Sequence, residues 1–175
     1  MKTIEDVLEE FLAEQRARLK PRTYGGYEDA IYLFEDCLNG YGHQYLDEEE
    51  SKLYDKLYME EETEFCAIFG PDKIGCSEIG EFLDYFMIRK VACGTDFMKT
   101  VGRVMRKFVK WMKEKGYMSE EEYGISGEIV DELKSELPEV SKLSDLIYNY
   151  IRNNPPGDII EPNFESSNLP ENRWL

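Results

Sequence analysis

Lys99, Arg103, Arg106, Lys107, Lys110 and Lys113 follow one another at intervals of three and four residues. On a helix that spacing aligns them along one face, in a row about 21 Å long at 1.5 Å per residue. Such a row can neutralise successive phosphates, chemistry that suits a nucleic-acid backbone. Arg16, Arg18, Lys20 and Arg22 form a second basic cluster. The bias is local: residues 89–115 hold nine bases and two acids, whereas residues 47–64 and 119–145 each hold nine acids and two bases.

The other reactive side chains do not combine into a catalytic or metal-binding set. No two of the four cysteines, Cys37, Cys66, Cys76 and Cys93, stand two residues apart as zinc knuckles and redox motifs require. They are expected to be free thiols, mostly buried as small hydrophobes. His43 is the single histidine, and no nucleophile is placed beside it by sequence. Glu48-Glu49-Glu50 and Glu60-Glu61-Glu62 are consecutive, so on a helix their carboxylates diverge and give a solvated acidic surface. Gly70-Pro71-Asp72-Lys73-Ile74-Gly75 lacks the spacing and the Lys-Ser/Thr end of a phosphate loop. Of the twelve tyrosines, Tyr27, Tyr54 and Tyr150 fall on apolar faces and are expected in the core. No enzyme, cofactor or metal centre is expected.

The elements that position the basic residues read as helices. Thr3 and Asp6 have the spacing of a capping box, followed by Ile4, Val7, Leu8, Phe11 and Leu12 at helical intervals, with Leu19 continuing the face and Pro21 as a stop. A second helix is expected from near Thr23 to Asn39-Gly40, burying Tyr27, Ala30, Ile31, Phe34, Cys37 and Leu38. Leu53, Tyr54, Leu57 and Tyr58 give the acidic stretch 47–64 an apolar face, and residues 65–75 read as a connector. Ser77 is placed to cap a helix carrying Ile79, Phe82, Leu83, Phe86 and Met87. Thr95 is placed to cap the longest helix, with Phe97, Val101, Val104, Met105, Phe108, Trp111 and Met112 inside and Gly116 as its end. Ser119 and Glu122 suggest another capping box, with helical pieces broken at Gly124 and Pro138, then a last amphipathic helix through Val140, Leu143, Ile147, Tyr150 and Ile151. Four prolines in residues 155–175 mark a linker or tail, in which Trp174 suggests a docking anchor or a chain cut before something else. The fold class is all-α: a small helical bundle at residues 1–117, an acidic helical extension at 118–154, and the Pro-rich tail.

The 175 residues carry a formal charge of −16 with 42% hydrophobic residues. That is apolar enough for a real core, and too acidic for indiscriminate nucleic-acid binding. No apolar run reaches the roughly 18 residues of a membrane span, and Met1-Lys2-Thr3-Ile4-Glu5-Asp6 does not read as a signal peptide, so a cytoplasmic chain with no membrane partner is expected.

The order of helices and landmarks resembles the N-terminal core-binding domain of tyrosine recombinases and phage integrases, a SAM-like helical domain that clamps DNA. The landmarks are Phe11-Leu12, then Thr23 with Tyr27, Ile31 and Phe34, then Ile79, Phe82 and Leu83. Last come Thr95, Val101, Arg103, Phe108 and Trp111, running to Glu114-Lys115-Gly116-Tyr117. The resemblance covers about residues 1–117. It implies that the helices beginning near Thr23 and Thr95 face DNA, with Arg22 and Thr23 meeting phosphate at one and Lys99, Arg103, Arg106, Lys107 and Lys110 lining the other. Such contacts position a protein without reading sequence. The chain departs from the family in Gly25-Gly26, in its long acidic insertion, and in having no arginine-histidine-arginine pocket around a nucleophilic tyrosine. Strand cleavage is therefore not expected.

Two functions compete. One is a non-catalytic module binding double-stranded DNA, free-standing or the front of a longer protein. The other is a protein-interaction module or nucleic-acid mimic whose acidic blocks bind a basic partner without DNA contact. Pairing of opposite charge blocks between two copies, giving a homodimer, is a further expectation of the second kind.

Overall fold

The computed structural model describes residues 2–153 apart from Ala92 and the side chains of Ser144 and Asp145. The regular structure among the described residues is entirely helical. Helix α1 (Ile4–Arg18) starts at a complete Thr3–Asp6 capping box. Helix α2 (Pro21–Tyr41) begins with Pro21 at its first turn, because a helix start needs no proline N–H. The short connection lays the two antiparallel, and α2 also packs on α7 (Thr95–Lys115). Between them run α3 (Glu48–Glu61), α4 (Phe65–Ile68), α5 (Cys76–Gly80), a π turn (Glu81–Phe86) and α6 (Met87–Arg89). Helix α8 spans Glu120–Asn153.

Rings from four segments form the centre of the core. Phe11 meets Phe108 and Trp111 at 5.1 and 5.3 Å, and Phe34 meets Phe82 and Phe108 at 5.1 and 5.8 Å. Phe11, Phe34, Phe82 and Phe108 are fully buried. Losing one such ring costs about 3–5 kcal/mol, against about 1 kcal/mol for a helix cap. Packing of α1, α2, α7 and the π turn therefore outweighs local signals in fixing the fold. Met118, Val130 and Leu137 belong to the same apolar cluster. The chain divides into two compact units, residues 1–143 and 144–175. Of the second, residues 144–153 are described and are helical. The Pro-rich tail and Trp174 lie outside the described residues.

Several local expectations are corrected. Asn39-Gly40 does not close α2, which continues to Tyr41. Asn39 instead donates to Glu64 at 2.6 Å and accepts from the Cys66 N–H at 2.9 Å, tying α2 to the start of α4. Gly75 rather than Ser77 caps α5, and its N–H is bonded to Glu78 at 2.9 Å. Gly94 rather than Thr95 precedes α7, while the Thr95 hydroxyl reaches Ser141 at 3.4 Å. The longest helix is α8, with 34 residues, and neither Gly124 nor Pro138 interrupts it. A mid-helix proline costs about 3 kcal/mol, and the burial of Val130, Leu137 and Pro138 itself offsets that cost. Ser119 receives the Glu122 N–H at 3.1 Å, but the Glu122 carboxylate turns to the Cys76 N–H at 2.6 Å, so only half of that box forms. On α3 only Tyr54 is buried, and Leu53 and Tyr58 are exposed. Leu143, Ile147, Tyr150 and Ile151 are exposed as well. Gly116 ends α7 in the left-handed conformation expected of it.

Candidate functional site

Close approach of three helices brings basic side chains from separate parts of the chain into one groove. Gly26 on α2 faces Thr100 on α7: a Cβ there would lie 3.0 Å from the Thr100 methyl. Gly102 on α7 faces α8, and a Cβ there would lie 2.5 Å from the Lys134 Cβ. A groove of about 830 Å³ results, lined by Arg22 and Thr23 of α2, Lys99, Thr100 and Arg103 of α7, and Lys134 of α8. Asp96, Gly26, Tyr27, Val104 and Ser135 also line it.

Four of the seven sequence-predicted residues thus meet there: Arg22, Thr23, Lys99 and Arg103, all exposed. Arg22 and Thr23 stand in the first turn of α2, which carries no acidic residue, so the helix dipole adds to their positive field. Arg103 is held by its own helix, its Nε donating to the Lys99 carbonyl at 3.2 Å and its Nη2 to Thr100 at 3.0 Å. The Lys99 ammonium lies 3.4 Å from Asp96, an exposed pair of small energetic weight that a stronger anion can displace.

The remaining three separate into two stripes. Arg106 points toward α8, pairing with Asp131 at 3.1 Å, donating to the Tyr123 hydroxyl at 3.3 Å and lying over that ring. Lys113 follows it, pairing with Glu120 at 2.7 Å and also lying over Tyr123. Lys107 and Lys110 continue the outward stripe from Lys99 and Arg103, with Lys110 in a loose pair with Glu114 at 3.5 Å. The single basic row expected from the sequence is therefore split, because α8 lies along one edge of it and its carboxylates occupy that edge. The Asp131 carboxyl is held below its usual range, first by Lys134 and then by Arg106.

Lys134 is the residue that sequence reasoning missed. It lies in an acidic block, and only the packing of α8 carries it to the groove. The one available signal was Gly102, since glycine inside an amphipathic helix costs about 1 kcal/mol relative to alanine and marks a close approach.

The other singled-out residues have structural surroundings. His43 is exposed and stacks on Tyr54 with ring centroids 5.5 Å apart. All four cysteines are free thiols, and burial pushes Cys37 up to about 12 and Cys66 higher still. Among the described residues no three His, Cys, Asp or Glu side chains are arranged to hold a metal ion, and no helix is long and apolar enough to cross a membrane. Comparison of the chain with protein-family models, with curated proteins and with solved structures gives no match.

Proposed function

We propose that this chain is a non-catalytic DNA-binding module of the integrase core-binding type, contacting phosphates through the groove between α2 and α7 and the outward stripe of α7. The observation that carries the proposal is the convergence of Arg22, Thr23, Lys99 and Arg103 from two helices around one groove, with Lys134 of α8 at its wall in a pair with Asp131, in a chain whose overall charge is −16. In so acidic a protein, diffuse attraction cannot hold DNA, so binding requires a concentrated basic surface. The stripe from Lys99 to Lys110 extends that surface by about 16 Å, enough to reach more than one phosphate along a backbone.

The split of the basic row separates contributors from bystanders. Lys99, Arg103 and Lys110 are exposed, Lys107 is half-buried beside them, and these four carry affinity. Arg106 and Lys113 are engaged with α8 and contribute little. Fluorescence anisotropy of a labelled duplex of about 30 base pairs, roughly three helical turns, tests this across a salt series. Changing Lys99, Arg103, Lys107 and Lys110 to alanine is expected to abolish salt-sensitive binding, whereas Arg106→Ala changes the salt slope by less than about 0.4, where loss of one phosphate contact would change it by about 0.9. No binding by the wild-type chain at low salt, or undiminished binding by the fourfold variant, overturns the proposal.

A further inference from the structure

Helix α1 carries two carboxylate stripes that differ in what answers them. Glu10 and Glu14 face the end of α7: Lys115 pairs with both, at 3.0 and 2.5 Å, and the Tyr117 hydroxyl and Trp111 Nε1 donate to them at 2.7 and 2.9 Å. Glu5 and Glu9 lie on another face, and no lysine or arginine pairs with either among the described residues. They form one rim of a shallow groove of about 630 Å³ between α1 and α2, whose other rim holds Glu28 and Glu35. Its floor is apolar, with Leu12 and Ile31 below and Tyr32, 54% exposed, at the side. Glu35 is pushed above the usual carboxylate range by its burial and then by Glu5, Asp36, Glu64 and Glu9 around it. At one end of the groove Arg16 lies over the Tyr24 ring, 5.9 Å from its centroid.

We infer that the α1–α2 groove is a docking site for a basic segment of a protein partner, whose lysine or arginine heads meet Glu5, Glu9, Glu28 and Glu35 while their aliphatic stems and small apolar neighbours cover Tyr32 and the floor. Charge complementarity selects the occupant. Four carboxylates on two rails exclude nucleic acid and acidic peptides. The apolar floor suits a chain that is cationic and aliphatic at once, as Lys and Arg side chains are. From Glu5 to Arg16 the groove spans about 16 Å along α1, the length of a helical segment of roughly three turns. The site is separate from the α2–α7 groove and stands whether or not that groove binds DNA.

The test uses the full chain and a fluorescein-labelled, roughly 14-residue helical peptide of lysine and leucine, with its glutamate-for-lysine counterpart as control. Anisotropy is read at about 0.15 M salt, where diffuse attraction is screened beyond about 8 Å. Glu5→Gln with Glu9→Gln and Glu35→Gln is expected to weaken binding of the lysine peptide about tenfold, since three semi-exposed pairs together contribute that much. Removing three α3 charges instead, by Glu49→Gln, Glu60→Gln and Glu61→Gln, is expected to change it less than about twofold, and Lys99→Ala with Arg103→Ala likewise. Glu5→Gln with Glu9→Gln alone, both exposed and on the same rail, gives an intermediate loss without touching the half-buried Glu35. Equal losses from the α1–α2 and α3 variants, or no binding of the lysine peptide to the wild-type chain, overturn the inference.

Discussion

Alanine at Gly102 is expected to destabilise the protein, whereas alanine at Gly124 stabilises it, although both glycines lie inside helices. Intrinsic propensity favours alanine by about 1 kcal/mol at either position. At Gly124 the added methyl meets nothing within 4 Å, so the gain is realised in full. At Gly102 the methyl would lie 2.5 Å from the Lys134 Cβ and 3.1 Å from its Cα. The second of these is backbone and cannot rotate away, so α8 must shift from α7. Overpacking of this kind costs about 1–3 kcal/mol, which exceeds the propensity gain. The net effect is a loss of about 1 kcal/mol at Gly102 and a gain of about 1 kcal/mol at Gly124. In a chain of this size each corresponds to about 2–4 °C in Tm, with opposite signs. Urea unfolding followed by far-ultraviolet circular dichroism, with the denaturant dependence checked for constancy across the variants, measures both. Gly102→Ala as stable as Gly124→Ala, or more so, would refute the close packing of α7 on α8. With it would go the placement of Lys134 in the basic groove.

Two further outcomes follow from the titrating groups. The Glu10 carboxyl is held down at about 2, chiefly by Lys2, then by Tyr117 and Lys115. Its bonds therefore stabilise the fold fully above its ordinary value of 4.5 and are lost as pH falls toward about 2. Glu10→Gln is expected to lower Tm at neutral pH and to flatten the decline over that window. A decline as steep as wild type would show that Glu10 does not tie α1 to the end of α7. Burial raises both Cys37 and Cys66, so at pH 8 iodoacetamide is expected to leave them unmodified in the native protein and to label them after unfolding. Native labelling of either, located by peptide mass, would contradict their place in the core.

The apolar periodicity of the chain was sufficient to determine its helical class and most of its core. Ile4, Val7, Leu8 and Phe11, and later Val101, Val104, Met105 and Phe108, repeat at three and four residues, and burying such a face is the dominant favourable term in folding. The left-handed end at Gly116 was legible for the same local reason, since few other residues adopt that conformation. Caps were legible only where no competing partner existed. Thr3 caps as its sequence suggests, but Glu122 and Thr95 bond to segments 46 residues away, and no local pattern encodes those partners. Gly124 and Pro138 read as breaks, but packing in the core carries α8 through them.

The same division holds for the site. The sequence determined that Lys99, Arg103, Lys107 and Lys110 share a helical face, because i, i+3 and i+4 spacing is a property of the helix alone. Only the tertiary structure decided which of the basic residues stay available. Helix α8 comes to rest against Gly102, takes Arg106 and Lys113 into pairs with Asp131 and Glu120, and brings Lys134, itself paired with Asp131, to the wall of the groove. It decided equally that Glu10 and Glu14 are answered by Lys115, while Glu5 and Glu9, on the same helix, share a groove with Glu28 and Glu35. Charge along a chain is written residue by residue, but its compensation depends on distances across helices, and those exist only once the core has packed.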